Sequence, residues 1–88
     1  MNDQELAAQL RGEGYTRTYV GEDPAGKHYP DHANPFATAN IILKGEITIT
    51  MHGVSHLYHA GDRFDVPANT LHSVVIGPDG SRYLLGER

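Results

Sequence analysis

Hydrophobic positions along this chain follow two rhythms in turn. Leu6 and Leu10 stand at i, i+4 in an otherwise polar opening stretch, a spacing that puts both on one face of a helix. It predicts one short amphipathic helix over about residues 3–11, with Asp3 as N-cap and Gly12 and Gly14 ending it. From Tyr15 the rhythm shortens to that of strands. Tyr15 to Val20 is rich in aromatic and β-branched residues, and Gly21 to Gly26, with Pro24, reads as a loop. His28 to His32 is no helix interior, because Pro30 sits at its centre. Thr38 to Leu43 and Glu46 to Met51 read as strands on either side of Lys44-Gly45. His52-Gly53 is a hairpin turn and Val54 to His59 the returning strand. After a turn at Ala60-Gly61-Asp62, Arg63 to Val66 is short and extended. Leu71 to Ile76 is a strand, Gly77-Pro78-Asp79-Gly80 a strong turn, and Arg82 to Leu85 closes the chain. Many short strands with Gly/Pro punctuation predict an all-β barrel or sandwich, over about residues 15–86, within a single domain of residues 1–88.

Composition narrows the partners. A domain of 88 residues buries only roughly 60% of the surface its unfolded chain exposes, so its core is thin. It has no cysteine to form disulfides or thiolate metal sites. Small domains without such staples gain buried area by self-association, which predicts a homodimer. Net charge is −4 and the seven Lys and Arg are scattered; nucleic-acid and anionic-membrane surfaces call for clustered positive charge, so neither partner is expected. The longest strictly apolar run is Ile41-Ile42-Leu43, far short of a membrane span. The opening Asn2-Asp3-Gln4-Glu5 is acidic, against a secretory signal, and the expectation is a cytoplasmic protein.

Two segments then change the picture. The first runs Gly26-x5-His32-x-Asn34-x3-Thr38-x6-Gly45, and the second Gly61-x5-Pro67-x-Asn69-x2-His72. Together they resemble the two-part signature of the cupin superfamily, whose glycines, proline, first histidine and last histidine fall in register here. That signature has a second histidine where this chain has Asn34, a glutamate at Thr38, a glycine at Asn69 and a final asparagine at Ile76. The resemblance spans about residues 24–77. It implies a double-stranded β-helix, or jelly-roll, barrel with a pocket at one end and the short helix in front. In that family the two histidines, the glutamate and the late histidine hold a divalent metal. Here only the imidazoles of His32 and His72 remain of that set.

Strand parity brings the same residues together. On alternating strands His32 and Asn34 share a face, as do Thr38, Asn40 and Ile42, and His72, Val74 and Ile76. The predicted pocket lining is therefore His32, Asn34, Thr38, Asn40 and His72, polar and without a carboxylate. Zinc and iron sites use three or four His, Cys or carboxylate donors. The pair His32 and His72 would hold one divalent ion weakly, and the donors do not distinguish Zn, Ni, Cu, Fe or Mn. Ile41, Leu43 and Val75 are predicted on the outer face, covered by the helix or a second subunit.

Rival chemistry is weaker. His28 and His32 are four apart on an extended segment, roughly 13 Å, too far to share an ion without a bend. His52, His56 and His59 surround a hairpin with no acid or thiol expected beside them. Ser73 adjoins His72 but falls on the opposite face. The sequence reading is thus a small cupin barrel that binds a small polar or anionic molecule, with or without a weakly held metal. One alternative is a metal-dependent isomerase, lyase or hydrolase of a small oxygenated metabolite. The other is a metal-free sensor or accessory barrel.

Overall fold

The computed structural model describes residues 2–88. It opens on one helix, α1 (Asp3–Gly12), followed by six strands: β1 (Arg17–Asp23), β2 (His28–His32), β3 (Thr38–Met51), β4 (Val54–His59), β5 (Arg63–Val66) and β6 (His72–Glu87). The helix cap is Asn2, not Asp3. The Asn2 side chain is set by an extended backbone to accept from the Glu5 N–H at 2.9 Å. Asp3 lies inside the first turn, where its charge favours the positive end of the helix dipole.

All strand pairs are antiparallel, in the order β1-β6-β3-β4, with β2 added beside β6 and β5 beside β3. The two long strands each serve two layers. The first half of β6 pairs with β2 and with the second half of β3, which also pairs with β4. The second half of β6 pairs with β1 and with the first half of β3, which also pairs with β5. Two four-stranded layers sharing bent strands make the jelly-roll.

The bend corrects two of the sequence boundaries. Gly77 to Gly80 does not reverse the chain. It bulges from β6 opposite the single residue Glu46, between the pairs Gly45↔Ser81 and Ile47↔Ile76. The segments before and after it are therefore one strand, as are those on either side of Lys44-Gly45. Gly45 has φ +78, and a Cβ there would collide with the Gly80 carbonyl. Backbone meets backbone at the corner, which only glycine permits.

Two clusters hold the fold. Ile42, Ile47, Ile49, Phe64, Val66 and Ile76 fill the space between the layers. Outside it, Leu10 of α1 packs on Tyr15, Ala39, Ile41 and Leu84, with Leu43 against the same cluster. The helix thus covers Ile41 and Leu43, whereas Val75 stays 44% exposed. Arg63 on β5 clamps the helix end, donating to both Glu13 carboxylate oxygens at 2.9 and 2.8 Å. Among the described residues no helix is long and apolar enough to cross a membrane.

Candidate functional site

A cavity of about 240 Å³ opens between the layers, and all five residues singled out by parity, His32, Asn34, Thr38, Asn40 and His72, line it. His32 on β2 and His72 on β6 are direct cross-strand partners. Their ring centroids lie 4.3 Å apart, tilted by 52°. Each Nδ1 sits 2.8 Å from the carbonyl oxygen of the residue two before it, Pro30 for His32 and Thr70 for His72. A carbonyl only accepts, so each Nδ1 carries the proton and donates. That fixes the tautomer and leaves Nε2 as the lone-pair nitrogen of both rings. His72 is buried and His32 half-buried.

The neutral part of the lining is tied down in the same way. Asn40 donates from Nδ2 to Thr38 Oγ1 at 3.4 Å, and both are buried. The Asn34 carbonyl accepts from the Asn69 N–H at 2.6 Å, joining the two sequence segments directly. Asn69 has φ +59. It takes the left-handed conformation at the position where the cupin pattern has glycine, as asparagine can.

Another part of the cavity lining was not foreseen. It comprises Tyr19, Asp23, Tyr29, Tyr83 and Leu85. Asp23 accepts from the Tyr29 hydroxyl through Oδ1 and from the Tyr83 hydroxyl through Oδ2, each at 2.8 Å. The expectation of a cavity without a carboxylate is therefore corrected. β1 does not end at Val20 but runs through Asp23, so Tyr19, Gly21 and Asp23 alternate onto the inner face. Gly21 pairs with Tyr83, and a Cβ at Gly21 would lie 2.7 Å from the Tyr83 ring. The missing side chain gives that ring its place. Burial, then the Asp23 hydrogen bond, raises both phenol pKa values above the ordinary range, that of Tyr83 the more strongly.

The other histidines lie elsewhere. His28 is exposed opposite Val75. His52, φ +54, forms the two-residue turn with Gly53 between β3 and β4. His56 and His59 are exposed on β4. Acids do accompany His59: Glu46 is 3.5 Å and Asp62 3.9 Å from its ring nitrogens. Register puts Glu46 directly across from His59, which spacing along one strand does not reveal. Ser73 pairs with Thr50 and does not line the cavity.

Among the described residues no group of three or more His, Cys, Asp or Glu is placed to hold an ion. The cavity offers two imidazole rings close together, while its carboxylate is bound by two tyrosines. A closed site of three or four protein donors does not fit here.

The fold and site define a small double-stranded β-helix barrel whose inner cavity sets paired histidines and a few further polar groups among aliphatic and aromatic side chains. The cupin-domain family description matches residues 19–83, and the chain belongs to the cupin family. Similar solved structures include the Cnp3 cupin domain of Schizosaccharomyces pombe, at 24% identity and TM-score 0.73 over 80% of this chain and 53% of that one. An RmlC-like cupin from Shewanella frigidimarina is 24% identical with TM-score 0.72, over 80% of this chain and 62% of that one. The DMSP lyase DddQ of Ruegeria pomeroyi is 29% identical with TM-score 0.73, over 81% of this chain and 36% of that one. The chain thus spans less than two thirds of the length of each of these structures. No curated protein matches it.

Proposed function

We propose that this barrel binds a small polar molecule bearing a carboxylate or similar acceptor group, with that group at His32 and His72. The observation that carries the reading is the pairing of the two imidazoles. Both rings line the cavity, both are held by carbonyls through Nδ1, and both keep Nε2 for a ligand. A protonated Nε2 donates to an anion; a neutral one accepts from a donor or binds a metal weakly. Thr38 and Asn40 beside them supply a hydroxyl and an amide that turn toward each other at 3.4 Å, long enough for a ligand to compete for either. A divalent ion at this pair is a weak, ligand-completed one, since Asn34 and Thr38 are neutral oxygens where a tight site needs an imidazole and a carboxylate.

A second reading is enzymatic. A neighbour at 29% identity is called a lyase, and this chain's own cavity holds imidazoles able to move protons. In that reading the molecule held at His32 and His72 is also cleaved or isomerised there. A thermal-shift screen of small acids and sugars on the wild type and on His72→Ala tests the common element. Stabilisation by acids that disappears in the variant supports the cavity; hits that ignore the substitution refute it. Turnover of any hit, followed by NMR, separates an enzyme from a binder.

A further inference from the structure

Asp23 sits on the cavity wall with an unusual set of neighbours. Both of its oxygens accept from tyrosine hydroxyls, and no ion pair among the described residues involves it. Its charge is therefore spread over two neutral phenols, with no cationic side chain paired to either oxygen. Tyr19, Tyr29 and Tyr83 line the same end. Aromatic faces attract cations, most strongly when water is partly excluded. One of these rings already does so: Lys27 Nζ lies 5.3 Å from the Tyr29 centroid.

Donor and acceptor accounting sharpens the contrast between the two ends. The Tyr29 and Tyr83 protons are both committed to Asp23. What those two tyrosines and Asp23 leave for a ligand is carboxylate and phenol lone pairs and ring faces, all of them partners for positive charge or N–H donors. A ligand anion at this end would meet a carboxylate, with the Tyr19 hydroxyl as the donor not committed to Asp23. At the other end the paired imidazoles suit an anion. Phe64, Ile47, Ile49 and Val74 line the cavity between and suit methylene or methyl groups.

We infer that the Asp23 end is a cation subsite, so that the cavity's ligand is amphoteric: a carboxylate at His32 and His72, and an ammonium or quaternary onium group against Asp23, Tyr29 and Tyr83. The spacing suits a short molecule. His32 pairs with His72 and Tyr29 with Val74, two residues or roughly 7 Å further along β6, and the Tyr29 hydroxyl reaches on from there to Asp23. The volume of about 240 Å³ lies below the ~300–1,000 Å³ of pockets for drug-sized ligands. Amino acids and betaines fall in this class; dicarboxylates and neutral sugars do not. The inference rests on the reading that the histidines hold the carboxylate.

The test compares two probes of the same shape. Glycine betaine carries a trimethylammonium group and a carboxylate; 3,3-dimethylbutyrate has a carbon in place of the nitrogen and so lacks only the positive charge. Binding of each is measured by calorimetry or NMR titration on the full chain. The wild type should prefer betaine by at least about tenfold, as expected for a partly desolvated cation contact. Asp23→Asn should bring the two affinities within about twofold of each other. Equal affinity in the wild type, including the case in which neither probe binds, overturns the cation subsite, and that comparison needs no variant to fold. Should Asp23→Asn fail to fold, Tyr29→Phe keeps the carboxylate and frees one of its oxygens, and must preserve the preference; its loss also counts against the inference. His72→Ala tests the underlying reading separately. It should weaken both probes alike; unchanged binding of both would refute the carboxylate end whatever the wild-type ratio.

Discussion

His32 and His72 are direct cross-strand partners whose ring centroids lie 4.3 Å apart. They come from two sequence segments on opposite sides of the β3–β5 meander, and each is locked by its Nδ1 to a backbone carbonyl. The first consequence concerns metal. Two imidazoles alone should bind Zn²⁺ or Ni²⁺ with lower affinity than a site of three or four donors. Either His32→Ala or His72→Ala should remove that binding in a calorimetric titration, and His52→Ala or His56→Ala should leave it. A stoichiometric ion surviving both cavity substitutions would place the metal elsewhere.

Gly21 predicts a stability effect. An added Cβ would stand 2.7 Å from the Tyr83 ring, and the ring cannot yield without straining its 2.8 Å hydrogen bond to Asp23. Gly21→Ala should therefore destabilise the barrel by about 1–3 kcal/mol, the range of an overpacked site. Urea unfolding measures it. No change in midpoint would mean that Tyr83 is free to move.

The tyrosines predict an alkaline effect. Burial first, and Asp23 second, raises the Tyr83 and Tyr29 phenol pKa values in the fold. A raised pKa means that the folded state favours the protonated phenol. The stabilisation is complete below the unfolded phenol pKa of about 10 and is lost as pH rises beyond it. Absorbance at 295 nm should show part of the five tyrosines ionising late, together with loss of structure. Asp23→Asn should move that late phase to lower pH without abolishing it, because burial remains. A single early phase would contradict the buried cluster.

Much of this arrangement was legible in the chain, and the exceptions have physical reasons. Parity placed Thr38, Asn40 and His72 on inner faces because β3 and β6 run regularly there, and it reached His32 and Asn34 although the register of β2 shifts between Tyr29 and His32 and Asn34 lies just past the end of that strand. The helix was legible from Leu6 and Leu10, but not its cap, since Asn2 and Asp3 are equally good capping residues and only backbone geometry chooses. Gly77-Pro78-Asp79-Gly80 has the residues of a reversal, and the same residues serve a bulge. Which one forms depends on whether both flanks pair with the same neighbour, here β3. Asp23 was missed because Gly21 and Pro24 suggested a loop. Gly21 is a strand residue that makes room for Tyr83, 62 positions away in the sequence and invisible from it.

Assembly gives a further outcome to measure. The expected homodimer drew on outer apolar residues, and α1 already covers Ile41 and Leu43 within the chain. Val75 remains exposed, in a row with Thr48 and the half-exposed Leu57 across β6, β3 and β4. A dimer using this row should sediment at twice the chain mass at micromolar concentration, and Val75→Glu should return it to monomer. A monomeric wild type would leave the row as ordinary surface.

The central claim is that His32 and His72 receive the acidic group of a small molecule. Imidazole gains its proton between about pH 8 and pH 6. The two rings lie 4.3 Å apart between centroids, and Asp23 is the carboxylate in the lining of their cavity. The most direct measurement is an acetate titration followed through the imidazole carbon–proton NMR signals at pH 6 and pH 8. Of the six histidines, His32 and His72 should shift together and saturably, more strongly at pH 6. Equal, unsaturable shifts across all six, or shifts confined to His52, His56 and His59, would contradict the account.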